Sequence, residues 1–212
     1  MKLLIFGATG GTGKLVLQQA LEQGHEVTAL VRNSSKLDIQ NARLTIIQGD
    51  VMNSPSIENA MQGQEAVICC IGSPAHKVGT LRSEGTENII KTMEKTGVNR
   101  FICQTSLGFA DSIKVLNQTS FIFKNMIVPF LLKKTFEEHE LQEESIKKSP
   151  LNWTIVRPGN LSNGSLTDKY RHGFGYDDPK IKVKVSRADV ADFMLKQLAD
   201  ATYFKKVVGI SY

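Results

Sequence analysis

An apolar run, Leu3-Leu4-Ile5-Phe6, leads straight into GATGGTG at residues 7–13, where four glycines fall within seven positions. Such a turn between a strand and a helix is built to take an anion. Gly7 allows the tight turn, Gly10 and Gly11 let backbone N–H groups approach a pyrophosphate, and Gly13 permits close packing of helix on strand. The N-terminus of the helix that follows attracts the negative charge. Thr9 and Thr12 add hydroxyl donors at the same place. A turn with no ligand is the competing reading, but the position at a strand–helix junction favours dinucleotide binding. The glycines stand at 7, 10 and 13, so the spacing departs from GxGxxG. Lys14 is followed by Leu15 rather than Ser or Thr, which argues against a nucleotide-hydrolysing loop.

Further apolar runs recur at 27–31, 44–48, 66–71, 101–106 and 153–156, with helical periodicity between most of them. In GKLVLQQALEQG, Leu15, Leu17, Ala20 and Leu21 fall toward one side, and GTENIIKTMEKTG repeats the pattern and ends on a glycine suited to a helix C-terminus. Ser54-Pro55 starts a short helix, Ser186 and Asp189 have capping-box spacing, and VVGISY supplies a late strand. Runs apolar on both faces, alternating with helices, indicate a parallel sheet covered on both sides. With 212 residues, 41% of them hydrophobic, there is material for one sizeable core. The expectation is α/β, a single Rossmann-fold domain over residues 1–212 whose doubly wound, mainly parallel sheet carries helices on both faces.

In an open α/β sheet the ligand lies at the carboxyl ends of the strands, so the residues there are the candidates for contact. The second strand ends at Arg32, where an NAD-binding chain would carry an acid for the ribose hydroxyls; a guanidinium favours the 2′-phosphate of NADP(H). Ser34, Ser35 and Lys36 either extend that phosphate site or form a solvated turn. The third strand ends at Asp50 and Val51, with Asp50 placed either to accept from an adenine amino group or simply to close a turn. Ile71 and Gly72 follow the fourth strand, Thr105 and Ser106 the fifth, and Pro158 shapes the floor beyond the sixth. Ser106 is the candidate for positioning nicotinamide or substrate.

A net charge of +5, with lysines and arginines scattered along the chain, suits anionic small molecules better than nucleic acid, and no nucleic-acid partner is expected. Cys69, Cys70 and Cys103 offer neither a disulfide framework nor metal-ligand spacing; a reducing, cytoplasmic setting and no metal are expected. The N-terminal apolar run is too short for a signal peptide, and no later one reaches bilayer-spanning length, so no membrane is expected. The most apolar segment, residues 120–134, is interrupted by Lys124, Asn125 and Pro129 and reads as a helix that is buried or faces a partner, a second copy included.

GATGGTG, VRNSSKL, GDV, SEGTENII and QTSLG, in this order, resemble the atypical short-chain dehydrogenase/reductase superfamily. Within it the chain is similar to the NmrA-like branch that contains biliverdin IXβ reductase, also called flavin reductase. The resemblance implies NADP contacts from Gly7, Thr9, Gly10, Thr12, Gly13, Arg32, Asp50, Ile71 and Gly72, and a substrate-side role for Ser106. It is densest over residues 1–106. Between Ser106 and His139 this chain is longer than the flavin-reductase pattern, so the elements bordering the substrate, within 107–180, transfer least.

Further features are weighed against plainer readings. Tyr176 and Lys180 have the spacing of a Tyr-x-x-x-Lys pair, but Pro179 and the alternating residues around them indicate a loop leading into a strand. His139-Glu140-Leu141-Gln142-Glu143 has Glu where a zinc helix needs its second His, so a solvated helix face is expected, with a lesser reading in which His139 faces the substrate as proton donor or hydrogen-bond partner. YRHGF at 170–174 is either a pocket lid or a surface loop. Arg157 either binds an anionic substrate or pairs with an acidic neighbour, and Arg187 belongs to a helix start.

The expected function is an NADPH-dependent reductase passing hydride to a small planar acceptor such as a flavin, a tetrapyrrole or a quinone. A non-catalytic NADP-binding redox sensor of the NmrA-like type is the alternative. A nucleotide-sugar epimerase or dehydratase ranks below both.

Overall fold

A computed structural model describes residues 1–212. In chain order the elements are β1 (Lys2–Phe6), α1 (Gly11–Glu22), β2 (Glu26–Val31), β3 (Leu44–Gln48), α2 (Ser54–Met61), β4 (Ala66–Cys69), α3 (Ser83–Thr96), β5 (Arg100–Gln104), α4 (Lys133–Lys148), β6 (Asn152–Pro158), β7 (Asn160–Ser162), β8 (Arg171–His172), β9 (Lys184–Ser186), α5 (Arg187–Lys196) and β10 (Lys206–Ser211). The main sheet runs β3-β2-β1-β4-β5-β6-β10-β8 and is parallel except for β8, which pairs antiparallel to β10. β7 and β9 form a separate parallel pair.

Alternation along each strand builds two cores. On β1, Leu3 and Ile5 join the cluster packed by α1 and α5, while Leu4 and Phe6 join the one packed by α2, α3 and α4. Both faces are therefore covered, as the apolar runs required. The chain winds from β1 outward to β3, then returns and proceeds from β4 in the other direction. That reversal opens a crevice beyond the carboxyl ends of β1 and β4. α3 ends at Gly97 in the left-handed region, φ +78°, and Ser186 Oγ accepts from Asp189 N at 3.0 Å to cap α5.

Of the two readings of the apolar segment, buried or partner-facing, residues 123–132 exclude the buried one. They form a π-helical run that contains Pro129 and continues into α4, and its side chains contribute nothing to the core. Phe121 is 78% exposed and Phe130 86%. The segment YRHGF is no lid: its Arg171 and His172 form the edge strand β8, where His172 meets Tyr203 Oη at 2.8 Å, away from the crevice.

Candidate functional site

The carboxyl edge carries two adjoining cavities, one of about 140 Å³ over the glycine turn and the β2–β3 tips, and one of about 710 Å³ extending toward α4. Gly10, Cys70, Ile71 and Gly72 line both. Gly7 has φ +81°, and a Cβ there would stand 2.9 Å from the Ile71 nitrogen, so no other residue fits. A Cβ on Gly13 would collide with the Gly7 carbonyl, which is the close helix–strand approach read from the sequence. Gly10 N donates to Gly7 O at 2.9 Å and closes the turn, leaving Gly10, Gly11 and Thr12 on the wall of the larger cavity.

The smaller cavity brings together Gly7, Thr9, Arg32, Asp50, Val51, Ile71 and Gly72. Arg32 is exposed at its rim with no ion-pair partner, while Asp50 accepts from Met52 N at 3.0 Å and so serves a turn as well as the rim. Lys36 sits on an exposed turn outside either lining. The larger cavity holds Ser106, Pro158 and His139, with Thr105 beside them. The Thr105 hydroxyl is engaged, donating to Glu143 Oε1 at 2.8 Å. Ser106 Oγ donates to the Leu107 carbonyl at 3.0 Å.

α4 is not the solvated helix expected of HELQE. His139, Gln142 and Glu143 are buried: Gln142 and Glu143 find hydrogen-bond partners on neighbouring elements, and His139 bonds Gln142 within the helix and stacks on the Phe109 ring. Glu143 binds Arg157 through two hydrogen bonds, Arg157 Nη1 reaches Asp111 Oδ1 at 2.6 Å, and the guanidinium lies over the Phe109 ring. Arg157 is therefore committed to acidic neighbours. Burial acts to raise the Glu143 pKa, but the bonds from Arg157 and Lys147 outweigh it and hold the carboxyl below its ordinary range. His139 is pushed down to about 4, first by burial and then by the nearby Arg82 charge. It is neutral near pH 7. Its Nδ1 meets Gln142 Oε1 at 3.0 Å, while Gln142 Nε2 donates to Thr86 Oγ1 at 2.9 Å, so Nδ1 carries the proton and Nε2 a lone pair. A neutral imidazole in that tautomer accepts a hydrogen bond and donates no proton, which corrects the proton-donor reading.

Two lining arginines had no sequence signal as ligand groups. Arg187, at the start of α5, extends so that its Nε lies 2.8 Å from where a Gly11 Cβ would be, which places a guanidinium over the N-terminus of α1. Its Nη1 donates to Asn163 Oδ1 at 2.6 Å, and it has no ion pair. Arg82, buried before α3, donates to Ser73 Oγ and O but leaves Nε without a partner. Gln104 Oε1 and Thr135 Oγ1, also on the larger cavity's lining, are likewise buried without partners. Buried polar atoms are normally satisfied, and these three belong to residues of the larger cavity's lining. Three unpaired arginines against the single carboxylate of Asp50 make the joined cavities a polyanion site. The cavity linings include no tyrosine; Tyr176 lies in a loop with its hydroxyl 3.4 Å from Arg157 Nη1.

The NAD(P)H-binding family model matches residues 7–201. This chain belongs to the NAD(P)H-binding family. It is 32% identical to an uncharacterized chloroplastic protein of Arabidopsis thaliana over 99% of this chain and 76% of that one. It is 26% identical to the chloroplastic protein TIC 62 of the same plant over 91% of this chain, which spans only 32% of that relative. The solved structure of ChuY, an anaerobillin reductase from Escherichia coli O157:H7, superposes with a TM-score of 0.80 at 26% identity, covering 100% of this chain and 97% of the other. The atypical short-chain dehydrogenase/reductase, NmrA-like assignment is thereby borne out, and with it the Rossmann fold. No helix is long and apolar enough to cross a membrane.

Proposed function

We propose that this protein is an NADPH-dependent reductase that delivers hydride to a planar acceptor, a flavin, tetrapyrrole or quinone. The observation that carries the reading is the continuity of the two cavities: a polyanion site at the glycine turn opens, past Gly72 and Ser106, into a space walled by Phe123, Phe136 and Leu132. NADPH supplies the hydride when bound. The residues of the chain bind and align. The Gly11 N–H at the start of α1 and the Arg187 guanidinium hold the pyrophosphate, Thr9 and Thr12 add hydroxyls, and Arg32 pairs with the 2′-phosphate. Ser106 and Pro158 bound the space where nicotinamide meets acceptor. The Arg82 guanidinium, the Gln104 amide and the His139 Nε2 lone pair lie on the lining of this space, which suits an acceptor carrying both an anionic or carbonyl oxygen and an N–H. The name of ChuY points to the same acceptor class. Alignment of two ring systems contributes most of such a rate, and a proton can come from solvent, so the absent tyrosine is no obstacle.

The test is steady-state NADPH oxidation against FMN, FAD, quinone and biliverdin. Turnover with at least one, faster from NADPH than NADH, is expected; none with any of them overturns the reading.

One observation favours a second reading, a non-catalytic redox sensor: the cleft has no side chain poised to donate a proton near neutral pH, His139 being neutral there. A sensor needs unequal affinity for NADP⁺ and NADPH, because a ligand state bound equally shifts nothing. Equal dissociation constants would remove it. For the compartment we propose the cytoplasm, on the three free thiols; a plastid, as in the Arabidopsis relative's name, competes, and fluorescent tagging in the native cell decides.

A further inference from the structure

Eleven large hydrophobic side chains stand exposed on this protein, and seven of them lie between residues 113 and 131. The π-helical run explains their grouping. With i→i+5 hydrogen bonding, residues four or five apart share a face. Ile122, Met126, Ile127, Phe130 and Leu131 fall on the outer side, while Phe123, Val128 and Leu132 turn inward and are half-buried. Phe123 and Leu132 line the larger cavity, so the exposed face is the outer side of that cavity's wall. The charge along the segment itself is of one sign, bounded by Asp111 before it and Glu137 after it. From Ser112 to Phe136 the chain carries Lys114, Lys124, Lys133 and Lys134 and no acidic residue, although the whole protein has a net charge of only +5.

We propose that this face seats the protein on an anionic lipid surface, with the outer side of residues 121–131 in the headgroup boundary and the four lysines on the acidic headgroups. An apolar helix face rimmed by lysines is the chemistry of an interfacial helix, in which buried apolar area and attraction to acidic lipid add together. The same charge argues against a second copy as the occupant. A two-fold symmetric contact puts the same patch on both subunits and would set these lysines against their own copies. The proposal stands independently of the acceptor assigned above.

The experiment is flotation of the whole protein with vesicles of phosphatidylcholine alone and of phosphatidylcholine with a quarter phosphatidylglycerol, at low and high salt. Binding is expected on the acidic vesicles only, and high salt should weaken it. The double variant Phe130→Ser/Leu131→Ser should lose it. Lys133→Glu/Lys134→Glu should reduce partitioning by roughly thirtyfold or more. These side chains are exposed, and NADPH binding, followed by fluorescence, checks that each variant is folded. No flotation, equal flotation on both compositions, or a stable dimer in sedimentation that keeps the native protein off the vesicles would overturn the proposal. So would variants that fold and still float like the parent.

Discussion

Arg157 and Glu143 face each other in a bidentate ion pair, Nε to Oε1 at 2.7 Å and Nη2 to Oε2 at 2.6 Å, with both side chains buried. The pair joins β6 to α4, and Thr105 at the end of β5 bonds the same carboxylate. Three elements that border the cleft are thus registered by one carboxyl group. Glu143→Ala would strand a buried guanidinium with only Asp111 beside it, and a loss of about 3–5 kcal/mol is expected in urea unfolding. Glu143→Gln, which keeps the volume and part of the bonding, should cost less. Changes below about 1 kcal/mol in both variants would contradict the role.

Acid should destabilise the fold through the same carboxyl group. Its folded pKa is depressed, so the stability it contributes is present above the unfolded value and lost as pH falls through the folded one. Unfolding curves measured from neutral pH downward should show this limb in the parent protein and a shallower one in Glu143→Gln. An unchanged slope would count against it.

His139 adds a second acid-sensitive contribution of the same sign. Its folded pKa is about 4 against an ordinary 6.5, so between those values the unfolded chain binds the proton more readily. Stability therefore falls as pH drops across that window, by on the order of 3 kcal/mol in full. Proton NMR of the imidazole should show no titration near pH 6.5. A midpoint there would place His139 in solvent rather than against Phe109 and Gln142.

Arg32 and Arg187 should separate by ligand. Arg32→Ala is expected to weaken NADPH and 2′,5′-ADP on the order of tenfold to a hundredfold and to leave NADH nearly unchanged, since only the 2′-phosphate is lost as a partner. Arg187→Ala should weaken NADPH and NADH alike and spare 2′,5′-ADP, which has no pyrophosphate. Titration calorimetry reads all six affinities. Identical ligand profiles for the two variants would refute the division.

Local sequence carried much of the fold and one wall of the cleft. Gly7 and Gly13 are legible because their roles follow from backbone geometry, the place of Arg32 on the rim follows from its position at a strand end, and the strand–helix alternation fixed the layers. The other wall was hidden by its polarity. EEHELQEESIKK reads as a solvated helix, and only groups distant in sequence bury it: Arg157 and Thr105 against Glu143, Thr86 against Gln142 and the Phe109 ring against His139. Arg187 was masked by the capping box in which it sits, since a helix start explains Ser186 and Asp189 without asking where the intervening arginine points. Residues 121–131 repeat at four and five, a π-helical spacing that a search at 3.6 residues per turn passes over.

Hydride delivery from bound NADPH is tested most directly by anaerobic single-turnover absorbance measurements, mixing the protein loaded with NADPH, or with NADPH deuterated at the transferring position, against the best acceptor. The reductase assignment predicts rapid loss of the NADPH band in step with acceptor reduction and a primary isotope effect on that phase. Persistence of the NADPH band in the presence of every acceptor would contradict it.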